Sequence, residues 1–496
     1  MTEWRPGPDS HSWPSTARFV FAGSPTRRTW ELHAAHVGAT HRTRESYTAA
    51  RRTYRVFDLF AYCNCSHSPT VEDAWRLPEH EQADGYTDVA FWTALARRLE
   101  RGGFTGIFFA DAYNVANNYA DSVAPTVRHG EQLPENDPLP LLSALAAATD
   151  RLGLVATAST SLYPPYLLAK KLSTIDDLSD GRLGWNVVTS AGQLEFENAA
   201  DGYVPHDERY DRADEFLRVC YALWEESWDD DWAVRDAQGT YADPDAVSFI
   251  DHDGDSFTVP GPHMTAPTPQ RTPVLFQAGQ SDRGRQFAAD HAEALFSFHL
   301  SRDGFVSYAD SVETRLLDAG RSRDSVRLYP AVTPYVAPDR ETARRFHERV
   351  LDAIDPETGL VRLSNHLNHD YAQYDHDAPL ADIDPEGIRG ALQAFLDDDG
   401  EWTVGEAGRR YARYPTAELI GTPSEVADEL ERWGEAGADG FVITAPVVPR
   451  TFDDVARYLV PELRERDLLA DRGGTTLREQ LFGAPRLPPD HPAGSE

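Results

Sequence analysis

Short apolar runs alternate along this chain with segments whose apolar residues recur at helical spacing. Tyr54–Phe60 reads as a first strand. From about Thr87, Val89, Phe91, Trp92, Leu95, Ala96 and Leu99 fall on one helical face, and Gly102-Gly103 stops the helix. Thr105–Asp111 is the next strand, an apolar run that ends in an acid. The rhythm then repeats. A helix over Pro138–Thr149 precedes a strand at Leu152–Ser159, and a helix over Pro165–Leu178 precedes one at Gly184–Thr189. The helix Asp207–Trp224 comes before the strand Pro273–Gly279, and Gly284–His291 before Ala294–His299. A strand at Val326–Thr333 follows. Thr422-Pro-Ser-Glu425 is a capping box with proline at the first helical position, and its helix runs to Gly434 or Gly437. Gly440–Thr444 closes the series. These strands are short and continuously apolar, as strands covered on both faces read. Eight alternating βα units predict an α/β fold, a (β/α)8 TIM barrel with insertions. An open doubly wound sheet is the alternative, but no G-x-G-x-x-G follows an early strand.

The barrel reading covers residues 54–470. Residues 1–53 are rich in Arg, Ser, Thr, Pro and His and read as an N-terminal extension, a loosely packed arm. Residues 225–272 are polar, Pro/Gly-rich and too long for a plain connection. Residues 345–415 break the rhythm again. Both are predicted insertions, candidate lids or dimer elements, and residues 471–496 read as a C-terminal tail.

Composition removes several classes of function. With 41% hydrophobic and 26% charged residues, the 496-residue chain is neither disordered nor fibrous. No apolar run reaches the roughly 18–20 residues of a membrane span, and Met1–Pro14 has no apolar signal core, so a soluble, cytoplasmic protein is expected. Acidic residues number 81 against 47 basic ones, a formal charge of −34. Such a surface repels phosphate backbones and anionic lipid, so no nucleic-acid or membrane partner is expected. The only lysines are Lys170 and Lys171. This acid excess resembles proteins of salt-in halophilic archaea, whose self-repulsion is screened by salt. An acidic protein of a GC-rich bacterium is the plainer alternative. Cys63, Cys65 and Cys220 give no disulfide framework and no zinc spacing, so no metal site is expected.

Candidate chemistry sits at strand ends, where barrel enzymes carry their sites. Asp111 ends a strand, and its plain alternative is a cap on the following turn. Asn186 and Thr189 end another, with local backbone as alternative partners. In Gln277-Ala-Gly-Gln-Ser-Asp-Arg-Gly284 a strand turns into a helix N-terminus, which makes an anion site of backbone N–H groups and helix dipole. For proton transfer, His67 and Cys65 follow the first strand and His299 ends the sixth. Surface or packing roles are the alternative for each.

Several segments carry a resemblance. In order they are Trp75-Arg-Leu-Pro78, Phe109-Ala-Asp111, Ser159-Thr-Ser161 with Tyr163-Pro-Pro-Tyr166, and Asp180–Ser190; then His206–Tyr210, Ala213–Phe216, Ile250–Gly254, Pro269–Pro273, Gln277–Ser281 and Gly421–Asp428. The ordered set resembles the bacterial-luciferase-like flavin monooxygenases, and within them the nitrilotriacetate and dibenzothiophene-sulfone monooxygenase branch. The resemblance implies reduced FMN at the C-terminal strand ends, supplied by a separate NAD(P)H:flavin reductase. It implies O2 as co-substrate, a flavin C4a-(hydro)peroxide that oxygenates a small organic molecule, and a homodimer or homotetramer. It assigns Asp111, Ser159, Asn186, Thr189, Tyr210, Gly279, Gln280 and Ser281 to the cofactor, although the family usually has a small residue where Gln280 stands. Two other functions compete: F420-dependent hydride transfer, whose polyglutamyl cofactor favours a basic groove this chain lacks, and non-catalytic flavin binding.

Overall fold

The computed structural model describes residues 56–199, 202–367, 369–380, 383, 402–414, 416–469 and 473–494. The N-terminal extension and much of the later insertion, residues 384–401, lie outside the described residues.

Eight parallel strands close on themselves: β1 Asp58–Asn64, β2 Gly106–Ala110, β3 Gly153–Ser159, β4 Leu183–Val188, β5 Val274–Gln277, β6 Ala294–Phe298, β7 Arg327–Val336 and β8 Gly440–Ile443. Each pairs with the next, and β8 pairs with β1 through Asp58↔Gly440 to Ala61↔Ile443. The predicted (β/α)8 barrel is therefore the observed fold. Gly440 is required at the closing seam, because a Cβ there would lie 2.2 Å from the Asp58 carbonyl oxygen.

Side chains alternate along each strand. Phe60, Tyr62, Phe108, Val155, Phe276, Phe296, Tyr329 and Val442 form the core inside the barrel. Their neighbours Leu59, Ala61, Cys63, Ile107, Phe109, Leu154, Trp185 and Phe441 pack outward against the helices. Those helices begin where expected. Asp88 caps Val89–Arg101 by accepting the Ala90 N–H, and Thr422 with Glu425 completes both halves of the capping box on Pro423–Glu435.

Three elements differ from expectation. The first strand lies four residues later than Tyr54–Phe60, because Ala61-Tyr62-Cys63-Asn64 continues the run and pairs with Ile107–Ala110. An additional strand, Ala417–Gly421, pairs with Val332–Val336 of β7. Its residues are alternately buried and half-exposed, so it lacks the apolar run that marked the others. Finally, residues 473–494 are packed rather than tail-like. The helix Leu477–Phe482 inserts Leu477 and Leu481 into the barrel's inner core. It enters at the N-terminal end of the strands, where Gly181 O accepts the Leu477 N–H and Leu481 O accepts from Arg327. Among the described residues no helix is long and apolar enough to cross a membrane.

Candidate active site

Toward the C-terminal strand ends the lumen-facing positions change from aromatic to polar: Asn64 on β1, Thr157 and Ser159 on β3, Asn186 on β4. Asn186 Nδ2 donates to Thr157 Oγ1 at 2.9 Å, and Thr157 Oγ1 donates to the Phe109 carbonyl at 2.9 Å. The Oδ1 atoms of Asn186 and Asn64 are buried without a hydrogen-bond partner. Ser159 Oγ lies 2.9 Å from Ser190 Oγ, and Thr189 is buried with its carbonyl accepting from Ser161 Oγ. Asp111 directly follows β2. Its Oδ2 is buried without a partner, and burial, aided by the charge of Asp137, pushes its carboxyl up to about 7.

The Gln277–Gly284 segment turns from strand into helix. Ser281 caps the helix Asp282–His291, its Oγ accepting the Gly284 N–H at 3.1 Å. Tyr210, on the helix His206–Tyr221, reaches the same point. A Cβ on Gly284 would sit 2.8 Å from the Tyr210 hydroxyl, 3.0 Å from Ser281 Oγ and 3.1 Å from Gly279 Cα. Ser281 Oγ is also 3.2 Å from His206 Nε2. The Gly279 N–H donates to the Gln277 side chain at 2.6 Å, and the Gln280 carbonyl accepts from Arg285, so the turn is fixed by side chains on both sides. If this turn holds the phosphate of reduced FMN, Gly284→Val should weaken its binding at least tenfold, a loss of about 1.4 kcal/mol. Fluorescence titration measures it, with circular dichroism reporting an intact barrel; unchanged affinity would separate this turn from the cofactor.

The three proton-transfer candidates are placed differently from one another. His67 Nε2 is 3.2 Å from the buried Glu72 carboxylate, while burial lowers the imidazole's proton affinity. Cys65 is buried, and burial, with the charge of Glu135, raises its thiol far above the ordinary range, so it stays protonated. Cys63 packs outward among the helices and away from the lumen, so it does not face a ligand there. His299 leans on Phe305 and Tyr308, with ring centroids 5.7 and 5.2 Å away. Burial, assisted by Arg285, pushes it down to about 4, leaving a neutral imidazole whose buried Nε2 has no partner. Among the described residues no hydrogen bond joins any two of these three.

Two buried charged residues near the strand ends escaped the sequence reading. Glu135 lies in the loop before the helix Pro138–Ala146, bridged by backbone to Ser66 beyond β1. Both its carboxyl oxygens are buried without a partner, and burial, with the Asp111 charge, pushes it up to about 9. Arg362, on the helix Pro356–Leu367 of the second insertion, is fully buried. It binds Glu72 at 2.5 Å, Glu131 at 2.9 Å and the Thr70 carbonyl at 2.9 Å. Its guanidinium lies 4.6 Å from the Tyr414 ring centroid, and Tyr414 packs on Tyr62 and Phe298 at the barrel mouth.

Asp111 and Glu135 set a pH dependence. Their folded pKa values lie above the unfolded ones, so the folded chain holds more protons than the unfolded chain in between. Their stabilising contribution is complete below about pH 4 and is lost as pH rises through about 7 for Asp111 and about 9 for Glu135. Urea-unfolding free energy should therefore fall from weakly acidic to alkaline pH, and Glu135→Gln should flatten the upper part of that fall. An identical slope in the variant would refute the assignment.

A closed parallel barrel with polar strand ends defines a class also seen in solved structures. The crystal structure of DmoA from Hyphomicrobium sulfonivorans superimposes with a TM-score of 0.83 at 38% identity, covering 89% of this chain and 95% of that one. The structure of riboflavin lyase with modified FMN and riboflavin gives 0.80 at 34% identity, covering 89% and 99%. The luciferase-like monooxygenase family profile matches residues 69–440, and the chain belongs to that family. The dimethyl-sulfide monooxygenase of Hyphomicrobium sulfonivorans is 39% identical, over 88% of this chain and 92% of that protein. The dibenzothiophene-sulfone monooxygenase of Rhodococcus erythropolis is 35% identical, over 86% and 96%. Nitrilotriacetate monooxygenase component A of Aminobacter aminovorans is 34% identical, over 82% and 92%. The resemblance read from the ordered motifs is thus the family found.

Proposed function

We propose that this protein is the oxygenase component of a two-component system. It takes reduced FMN from a separate NAD(P)H:flavin reductase and uses O2 to oxygenate a small organic substrate. One observation carries the reading: Asn64, Asp111 and Asn186 present buried, unpartnered acceptor atoms at one end of the barrel. Buried acceptors gathered at one strand-end site are satisfied by a ligand or by ordered water. The donor set fits a flavin. Asp111 and Asn186 offer acceptors to ring N–H groups, Ser159 and Thr189 offer hydroxyls, and Tyr210 with the Gly279-Gln280-Ser281 turn offers an anion cradle. Reduced flavin supplies the electrons that activate O2. The protein binds and orients it and excludes water, a role for the Arg362-anchored insertion helix. Cys65 as a protonated thiol and His299 as a neutral imidazole suit hydrogen bonding better than proton release near neutral pH. His67 is a positioning residue through Glu72. The names of the three relatives and the modified FMN in the riboflavin lyase structure support the reading.

The test is stopped-flow mixing of the protein, pre-equilibrated with photoreduced FMN, against oxygenated buffer in molar KCl. Flavin oxidation slower than that of free FMN, in an amount equal to the protein, is expected; oxidation at the free rate overturns the reading. The charge of −34 also supports a salt-adapted surface. Thermal stability should rise steeply from near-zero salt to roughly 2 M KCl, as screening removes self-repulsion. A melting temperature indifferent to KCl would count against that adaptation.

A further inference from the structure

Other acids near the ends of β1 and β2 have partners, although burial still raises the proton affinity of Glu72. Glu131 and Glu72 bind Arg362. Glu195 accepts N–H groups from Tyr113, Ala191 and Gly192 at 3.2, 2.9 and 2.8 Å. Asp137 caps its helix through the Leu139 N–H at 2.8 Å. Asp111 follows Ala110, which pairs with Asn64, and Glu135 is bridged to Ser66, so the two acids flank the end of β1; Tyr113 and the Ala112 N–H near Asp111, and the Asn64 side chain near Glu135, favour the ionised forms less than burial opposes them. Asp111 Oδ2 and both Glu135 oxygens are buried and unpartnered. The groups around them are Asp137, Glu195, Tyr113, Glu131, Glu72, Cys65, Tyr62 and Asn64; Arg362, the cation that also acts on Tyr62, is bound by Glu72 and Glu131. Of two desolvated carboxyls whose charges repel, one keeps its proton. An independent observation marks the same point as open to a ligand. Asn64, beside Glu135, is only 2% exposed, yet its Oδ1 has no partner.

We propose that Asp111 and Glu135 form a carboxyl–carboxylate pair that holds one proton at the barrel mouth and supplies it to the oxygen chemistry, once per turnover. The proposal rests on the reduced-FMN reading above. Its balance is simple. Inserting one oxygen atom of O2 into a substrate and releasing the other as water consumes two electrons and two protons. The anionic reduced flavin brings both electrons and one proton, and the pair brings the second. Without substrate, the same electrons and protons convert O2 to hydrogen peroxide. Either way the pair is left as two carboxylates, whose repulsion draws a replacement proton from water. Only the protonated carboxyl has an O–H to donate, so the pair is both store and donor.

The test starts with infrared spectra of the full, ligand-free chain. The wild type is expected to show a protonated-carboxyl C=O band at neutral pH from which Glu135→Gln removes a component. In Asp111→Asn the remaining band should titrate at lower pH, because the neighbouring charge is gone; this variant decides the matter if Glu135→Gln fails to fold. A wild type without the band, or variants that leave the band and its titration unmoved, overturns the pair. The second measurement is single-turnover oxidation of bound, photoreduced FMN by O2. Glu135→Gln should bind reduced FMN within about twofold of wild type but oxidise it on the order of 100-fold more slowly, with Glu135→Asp recovering part of the rate. An unchanged rate and pH profile overturns proton delivery. Failure of the wild type to bind reduced FMN overturns the flavin reading and delivery with it, whereas normal binding with an unmoved infrared band overturns the pair alone.

Discussion

Arg362→Met is expected to lower the folding free energy by about 3–5 kcal/mol, the cost of leaving buried charge uncompensated. Arg362 has no exposed surface, and Glu72 and Glu131 are 1% and 2% exposed. Methionine fills the volume but leaves two carboxylates facing each other in an apolar setting. Removing both charges as well, with Glu72→Gln and Glu131→Gln, should restore much of the loss, since the penalty belongs to the orphaned acids and not to the missing arginine. The same substitution should have a functional signature. The helix Pro356–Leu367 is tied by Arg362 to Thr70 and Glu72, just beyond β1. Loosening it should admit water to the mouth and speed oxidation of bound reduced FMN toward the free rate. Urea unfolding gives the first quantity and stopped flow the second. A loss under about 1 kcal/mol, the range of a surface pair, would show that the network is dispensable.

The second large effect is expected at the opposite end of the barrel. Arg478→Met should also cost about 3–5 kcal/mol. Its guanidinium makes two bonds of 2.8 Å to Glu293 and reaches the carbonyls of Gln270 and Thr272 at 3.2 and 2.9 Å. Glu293 would keep only the Leu275 N–H, at 3.1 Å. The helix that carries Arg478 also seats Leu477 and Leu481 in the inner core, so its release uncovers Phe60 and Val274. The two variants should differ in function: Arg478→Met should leave affinity for reduced FMN intact under conditions where the variant is folded. An exposed pair such as Arg344–Glu348 provides the control, at roughly 0.5 kcal/mol. Parity between Arg478→Met and that control would rule out the plug as a stability element.

The barrel was legible because its strands are buried on both faces and read as apolar runs. Leu152–Ser159 and Gly440–Thr444 needed only that property. Where burial is one-sided the signal weakens, which is why Ala417–Gly421 went unread. The helix Leu477–Phe482 is too short for periodicity to mark, and its place depends on residues as distant as Gln270 and Glu293. At the site, strand ends told where to look, so Asp111, Asn186 and the Ser281 turn were visible. Glu135 and Arg362 were not. One stands in a loop after a short helix, the other on an ordinary amphipathic helix. Only the tertiary fold brings them to Asp111 and Glu72. Residue type alone pointed to histidines for proton transfer; burial lowers the proton affinity of His67 and His299 and raises that of Asp111 and Glu135, which sequence does not display.

The seam between β1 and β8 bears on how the chain is made. Asp58 pairs with Gly440, about 380 residues later, so at ribosomal rates of about 5–20 residues per second one edge of β1 waits roughly 20–75 s for its partner. During that interval the nascent chain presents an unpaired, apolar strand edge, a surface that recruits other strands. Synthesis of this protein should therefore depend on molecular chaperones that shield the half-built barrel, and a slowed ribosome should lower its soluble yield more than that of proteins whose strands pair with near neighbours.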